Sequence, residues 1–164
     1  MNGREHRYQV TVRWIGNLGS GTGGYTSYSR DHEIEAAGNP PIPGSSDPAF
    51  RGDPARWNPE ELFVAAVCAC HKLWYLHLAA VAGIRVTGYV DRAEGVMVEG
   101  AGGAGRFTMI TLRPEITVEQ PIDLAKAEAL HAEAHAKCFI ANSIKTPVRV
   151  QPVFLGAGGL RLSA

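Results

Sequence analysis

The chain has 164 residues, sixteen basic and sixteen acidic side chains, and 45% hydrophobic residues. That is enough apolar content for one domain core, and the balanced charge excludes the broad positive field that draws a protein to nucleic acid or to an anionic membrane. No apolar signal region opens the sequence, no stretch approaches the ~20 apolar residues of a membrane span, and three cysteines are an odd count for a disulfide scaffold. The expected setting is therefore cytoplasmic and reducing, with at least one working thiol.

Residues 1–37 read as an N-terminal β-hairpin. Tyr8 to Ile15 alternates apolar and polar residues, a glycine-rich turn follows from Asn17 to Gly24, and Tyr25 to Ala36 resumes the alternation. The turn lacks the GK[ST] of a phosphate loop. Residues 38–57 hold five of the ten prolines and predict a proline-rich flap loop. Asn58-Pro59-Glu60-Glu61 is a helix start, with Asn58 as N-cap, Pro59 in the first helical position and acidic residues against the positive helix end. It opens a long central helix over residues 58–83, stopped by Gly83.

Residues 84–118 predict a second β-hairpin, with strands Ile84 to Val98 and Arg106 to Val118 around the turn Gly100 to Gly105. Pro121 and Asp123 start a second helix over residues 121–138, rich in Ala, Glu and His and so expected at the surface. A short helical turn after Cys138 and a last strand over residues 147–155 complete the chain. No repeat or second domain is visible, and residues 1–164 read as one α+β domain.

Reduction of a peroxide by a thiol needs a thiolate to attack the O–O bond, a cation to hold it, and a second thiol to resolve the sulfenic acid. Cys68, Cys70 and Cys138 are the candidate thiols, and Arg30, Arg51 and Arg56 are candidate cations in or beside the loops before the long helix. A cysteine in a helix also serves as a small hydrophobe, so composition alone leaves the three thiols open.

The segment NPEELFVAAVCACHKL, with the distant HAKCFIANSI, closely resembles the signature of the OsmC/Ohr family of hydroperoxide reductases. The resemblance spans most of the chain and implies antiparallel β-sheets packed around a long central helix, in an intertwined homodimer. The family places its first cysteine ten residues after the first glutamate of the Asn-Pro-Glu motif, the spacing from Glu60 to Cys70, which selects Cys70 over Cys68. Cys138 fills the place of its second cysteine. Arg51, in Phe50-Arg51-Gly52-Asp53, is the nearest match to the family's arginine; Arg30 is the alternative, and Arg56 the weakest of the three. The resemblance implies an organic hydroperoxide reductase acting through a Cys70 sulfenic acid and a Cys70–Cys138 disulfide in oxidative-stress defence. It implies no metal, flavin or haem, and a lipoyl-type dithiol, free or on a lipoylated protein, as reductant. Two departures stand out: His71 follows the first cysteine, where the family has an aromatic or small residue, and Phe139-Ile140-Ala141 replaces a proline and a serine. They imply a divergent branch.

Helix geometry adds two expectations. Ten residues of helix rise about 15 Å, so Glu60 cannot touch Cys70 of its own helix, and an arginine oriented by Glu60 beside Cys70 requires a second copy of the chain. Cys70 lies about twelve residues past the N-cap, too deep for the helix dipole to act on it, so the arginine must hold the thiolate. Cys68 and Cys70 point about 200° apart, and Cys68 is expected to be structural; His71 is expected to be a packing or hydrogen-bonded histidine rather than a base. Two rival functions remain open. One is zinc or copper binding by Cys68, Cys70, His71, His131 and His135, weakened by a CxC pair whose sulfurs diverge on a helix. The other is a binding protein without turnover, holding an apolar ligand among Phe50, Trp57, Phe63 and Trp74.

Overall fold

A computed structural model describes residues 3–119 and 121–162; residues 1 and 2 of the expected hairpin lie outside them. The chain divides into two compact units, Met1–Leu62 and Phe63–Ala164.

In the first unit, β1 (Thr11–Trp14), β2 (His32–Glu35) and β3 (Ile42–Gly44) form an antiparallel sheet in that order, with Val12 opposite Ile34 and Ile34 opposite Ile42. The expected hairpin is β1 and β2. Its long connection is pinned by Ile15 N–H to Asp31 O at 2.9 Å, and by Asn17 Oδ1, which accepts from Gly19 and Gly21 N–H at 2.9 and 3.0 Å. The proline-rich stretch is more ordered than a flap loop. It contributes β3, and Pro43 is tolerated there because β3 is an edge strand, where a missing N–H need not break a ladder. A 3₁₀ turn at Pro48–Phe50 follows, capped by Asp47 Oδ1 on Ala49 N–H at 2.7 Å.

The helix α1 (Pro59–Val81) starts in a reciprocal capping box: Asn58 Oδ1 accepts Glu61 N–H at 2.7 Å, and Glu61 Oε2 accepts Asn58 N–H at 3.3 Å. Gly83, at φ +77°, takes the left-handed conformation that ends the helix.

In the second unit each expected long strand is broken in two. Ile84 to Val98 becomes β4 (Val86–Asp91) and β5 (Glu94–Glu99), and Arg106 to Val118 becomes β6 (Gly105–Leu112) and β7 (Pro114–Val118). Side-chain chemistry causes the break: Asp91 Oδ1 takes the Arg113 N–H at 2.7 Å, and Pro114 has no N–H to offer. The result is a bent hairpin, β4 pairing with β7 and β5 with β6, both antiparallel. The last strand is likewise split by Pro152 into β8 (Val148–Val150) and β9 (Val153–Leu155), which add to β6 and β7 in parallel. The sheets are thus mixed rather than purely antiparallel, because the chain returns to them through α2 (Leu124–Lys137) and the one-turn helix α3 (Phe139–Asn142).

The second helix is capped by Asp123 Oδ1 on Lys126 N–H at 3.0 Å. It buries only Ala127, His131 and Ala134, one stripe at spacings of four and three. A main core of Tyr75, Leu78, Ile84, Ile116, Val118 and Phe154 forms around that stripe. A second cluster of Val67, Ile110 and Leu112 packs with Phe63, Cys68 and Phe107.

Candidate active site

Within the second unit the structure brings Cys70 and Cys138 together. Cys70 lies mid-way along α1 and is partly exposed, whereas Cys138, between α2 and α3, is fully buried. Cys138 N–H donates to His135 O at 3.2 Å and its Sγ accepts Ala141 N–H at 3.4 Å, so the residue ends one helix and caps the next. The Cys138 thiol is raised from its ordinary value, first by burial and then by a hydrogen bond to Cys70. Cys70 is thus a close neighbour of Cys138 across the two helices. The more accessible sulfur is on α1 and the buried one at the end of α2.

Cys68 lies elsewhere, in the cluster of Val67, Ile110 and Leu112. Burial, and after it the Asp91 carboxylate, push its thiol up to about 11, which leaves about one molecule in several thousand as thiolate near pH 7.5. Asp91 is itself raised, chiefly by burial, and its Oδ2 is buried without a partner, as is the Tyr89 hydroxyl.

His71, next to Cys70, is 1% exposed and His131 is 5% exposed. His71 Nε2 and His131 Nδ1 share one hydrogen bond of 3.0 Å, and the His131 ring stacks on Tyr75 at 4.1 Å. Burial lowers both: His71 to about 4, with His135 adding to the effect, and His131 to about 3, with His71 adding. This pair is the part of the site that sequence reasoning did not see as a pair. The available signal was the position of His131 between Ala127 and Ala134 on an otherwise polar helix. Among the described residues no group of three or more His, Cys, Asp or Glu is placed to hold a metal ion.

The remaining expected residues belong to the first unit. Arg30 is occupied: it donates to Tyr28 O and Tyr25 O at 2.8 and 2.9 Å, and its guanidinium lies 4.2 and 4.5 Å from the centres of those two rings. Arg56 lies 3.7 Å from both Asp31 and Asp53. Arg51 is exposed and makes no ion pair among the described residues, its nearest aromatic contact being Tyr25 at 5.8 Å. It is also the one non-glycine residue at positive φ among those described, at +66°, a conformation that costs roughly 1–2 kcal/mol for a side chain with Cβ. The turn is fixed from both sides, since Arg51 N–H donates to Pro48 O and Gly52 N–H to Asp47 O, each at 3.0 Å. A Cβ on Gly52 would run into the Ser46 carbonyl. Gly52→Ala is therefore expected to destabilise this unit by about 2 kcal/mol, read as a lower Tm. Glu60, in the first turn of α1, makes no salt bridge among the described residues.

An apolar cleft of about 270 Å³ is lined by Leu73, Trp74 and His77, three, four and seven residues past Cys70 and so on its side of the helix. Phe139 sets its ring edge against Trp74 at 5.8 Å. Of the other aromatics expected to line a ligand pocket, Phe63 instead packs on Phe107 at 5.1 Å, Trp57 borders a separate cleft with Arg56 and Glu61, and Phe50 closes the 3₁₀ turn.

Residues 52–153 match the model of the family described as OsmC-like protein. No curated protein matches the chain. Among solved structures, an OsmC-like protein of unknown function from Vibrio cholerae is 32% identical, with a TM-score of 0.81 over 90% of this chain and 99% of that one. An organic hydroperoxide resistance protein from Legionella pneumophila (20% identity, TM-score 0.66, 93% and 98% covered) and one from Elizabethkingia anophelis (18%, 0.65, 94% and 98%) share the fold. With the family match covering more than half of its length, the chain belongs to the OsmC-like protein family.

Proposed function

We propose that the protein is a thiol peroxidase that reduces organic hydroperoxides, with Cys70 as the attacking and Cys138 as the resolving sulfur. The observation that carries this reading is the pairing of a partly exposed Cys70 with a fully buried Cys138 beside it. In the first step the Cys70 thiolate attacks the distal peroxide oxygen, the O–O bond breaks, and the alkoxide takes a proton to leave as alcohol. The Cys70 sulfenic acid then condenses with Cys138 S–H, forming the S–S bond and releasing water. A dithiol of the lipoyl type, free or on a lipoylated protein, would return both thiols by exchange. The apolar cleft of Leu73 and Trp74 favours an alkyl or fatty-acid hydroperoxide over hydrogen peroxide. Nothing in this route needs a metal or a prosthetic group, and three free thiols suit the cytoplasm.

The arginine that holds the thiolate is Arg51, supported by the engagement of Arg30 and Arg56 elsewhere and by the strained turn that carries Arg51. Because glycine accepts positive φ without strain, Arg51→Gly should keep or slightly raise Tm while lowering hydroperoxide turnover about 100-fold. A parallel loss of Tm and activity would make the residue structural. Glu60, about 15 Å from Cys70 along α1, would orient Arg51 from a second copy of the chain. A homodimer is also favoured by α1 itself. It is long and apolar enough to cross a membrane, yet its most apolar window is only 28% buried in one chain, with Leu73 63% and Val81 74% exposed. Light scattering on the purified protein should give twice the chain mass, and a monomer would remove Glu60 from the site.

Mass spectrometry after one equivalent of cumene hydroperoxide tests the chemistry: a Cys70–Cys138 disulfide is expected. If all three thiols survive unchanged, the cleft beside Trp74 favours instead a protein that binds an apolar ligand without turnover.

A further inference from the structure

Among the contacts that tie α1 to the α2 segment are Cys70 to Cys138, His71 Nε2 to His131 Nδ1 at 3.0 Å, Tyr75 Oη to Ala127 O at 3.3 Å, and the Tyr75 ring stacked on His131 at 4.1 Å. Numbers rise along α1 as they fall along α2, so the two helices run antiparallel. The face of α2 that meets α1 offers two alanine methyls and one imidazole. Methyl groups slide past one another at little cost, and the Tyr75 bond goes to a backbone carbonyl, a group that every turn of a helix repeats. The His71–His131 bond is the directional side-chain hydrogen bond between the two helices, and with the Tyr75 ring stacked on the same imidazole it fixes which turn of α2 lies beside which turn of α1.

The pair is a poor device for stability. Two neutral imidazoles bring two donors and two acceptors, and one mutual bond uses one of each. His71 Nδ1 and His131 Nε2 are left buried with no partner, and a buried unpaired donor costs about 1–3 kcal/mol. Two leucines would fill similar space without that cost. A buried polar contact that is unfavourable for stability can still specify register. Here the register has a consequence seven residues further along α2, where Cys138 must lie within reach of Cys70.

We propose that the His71–His131 hydrogen bond is a positioning clamp that sets the register of Cys138 against Cys70, and through it the thiol–disulfide equilibrium of that pair. The proposal rests on the redox reading of the two cysteines and adds the residues that tune it. Neither histidine touches the reacting oxygen; they act by holding the two sulfurs at a high effective concentration. Loosening the clamp leaves both thiols in place but lowers the tendency to close the S–S bond.

The test is a glutathione titration of the full-length protein, with thiol trapping and mass spectrometry. Glutathione disulfide accepts the two electrons as Cys70 and Cys138 form their bond, and two glutathione thiols carry away the two protons. For His71→Leu/His131→Leu the expected result is an equilibrium constant for Cys70–Cys138 at least tenfold below that of the unaltered protein, which is about 30 mV for this two-electron couple, with Tm unchanged or higher. A second comparison holds if the leucine variant fails to fold. His71→Gln places an amide where Nε2 sits and should stay within threefold, whereas His71→Asn carries the same amide one methylene too short and should lose about tenfold. Equal constants for His71→Gln and His71→Asn, or an unchanged constant in a folded leucine variant, overturn the clamp and leave the redox pair standing. If the unaltered protein forms no Cys70–Cys138 disulfide at any glutathione ratio, the redox reading falls and the clamp with it.

Discussion

Cys70→Ser is expected to lower organic hydroperoxide consumption by at least ~10³-fold, about 4 kcal/mol in the barrier, with Tm little changed. The reason is nucleophilicity. A serine hydroxyl is not ionised at neutral pH and attacks peroxide oxygen poorly, and no other sulfur can stand in. Cys138 is fully buried and holds its proton more tightly than an ordinary thiol. Cys68 is held near 11 by burial and Asp91 and sits in a packed cluster. The other two serine variants should behave differently from Cys70→Ser and from each other. Cys138→Ser should rapidly consume one equivalent of cumene hydroperoxide per site without turning over, leaving a sulfenic acid on Cys70 that dimedone traps, and excess peroxide should then use a slower second equivalent to carry it to sulfinic acid. Cys68→Ser should keep turnover within about threefold, since its thiol is far from ionised in the folded chain. Residual peroxide measured over time separates the three. Full turnover by Cys70→Ser, with loss in Cys68→Ser, would reverse the assignment of the two neighbouring cysteines.

The parts of the fold legible in the sequence were those set by local chemistry. Asn58-Pro59-Glu60-Glu61 announces α1 through its cap, and Asp123 announces α2 in the same way. The breaks in the strands were not legible, because they depend on partners distant in sequence: Arg113 leaves its ladder for Asp91, twenty-two residues earlier. The parallel additions of β8 and β9 follow from where α2 returns the chain, which no periodicity records. The strand inside the proline-rich stretch was hidden because proline argues against a ladder, and the argument fails at a sheet edge. For the candidate site, the family resemblance pointed to Cys70 through its spacing from the Asn-Pro-Glu motif, and the structure adds that its neighbour across the helices is Cys138. His131 escaped as a partner of His71 because sixty residues separate them. On sequence alone, a histidine two turns before a cysteine reads more readily as a metal ligand.

The same histidine pair should make the protein sensitive to acid well before its carboxylates are protonated. In the folded chain His71 and His131 take up protons only near 4 and 3, held down chiefly by burial, with His135 beside His71 and His71 beside His131 as the neighbouring titratable groups. Tyr75 and Phe154 cover His131 with rings that offer no charge to offset a proton there. In the unfolded chain both imidazoles protonate near 6.5. Between these limits the unfolded state binds more protons than the folded state, so stability is fully present above about pH 6.5 and falls as the pH is lowered toward 4. Each histidine should contribute about 3 kcal/mol of the loss across that window, on the order of 6 kcal/mol for the two together. Urea unfolding at pH 7.5, 6.0, 5.0 and 4.0 measures it. The His71→Leu/His131→Leu variant has no imidazole to charge at this site and should show a much flatter profile over the same range. An equally steep profile in that variant would assign the acid sensitivity to other groups, with the raised Asp91 carboxyl excluded because it binds its proton more readily when folded. Cys138 hangs from the same helix as His131. Acid that charges the pair should therefore loosen the α1–α2 contact first, and peroxide-driven closure of the Cys70–Cys138 bond should slow in step with the loss of stability.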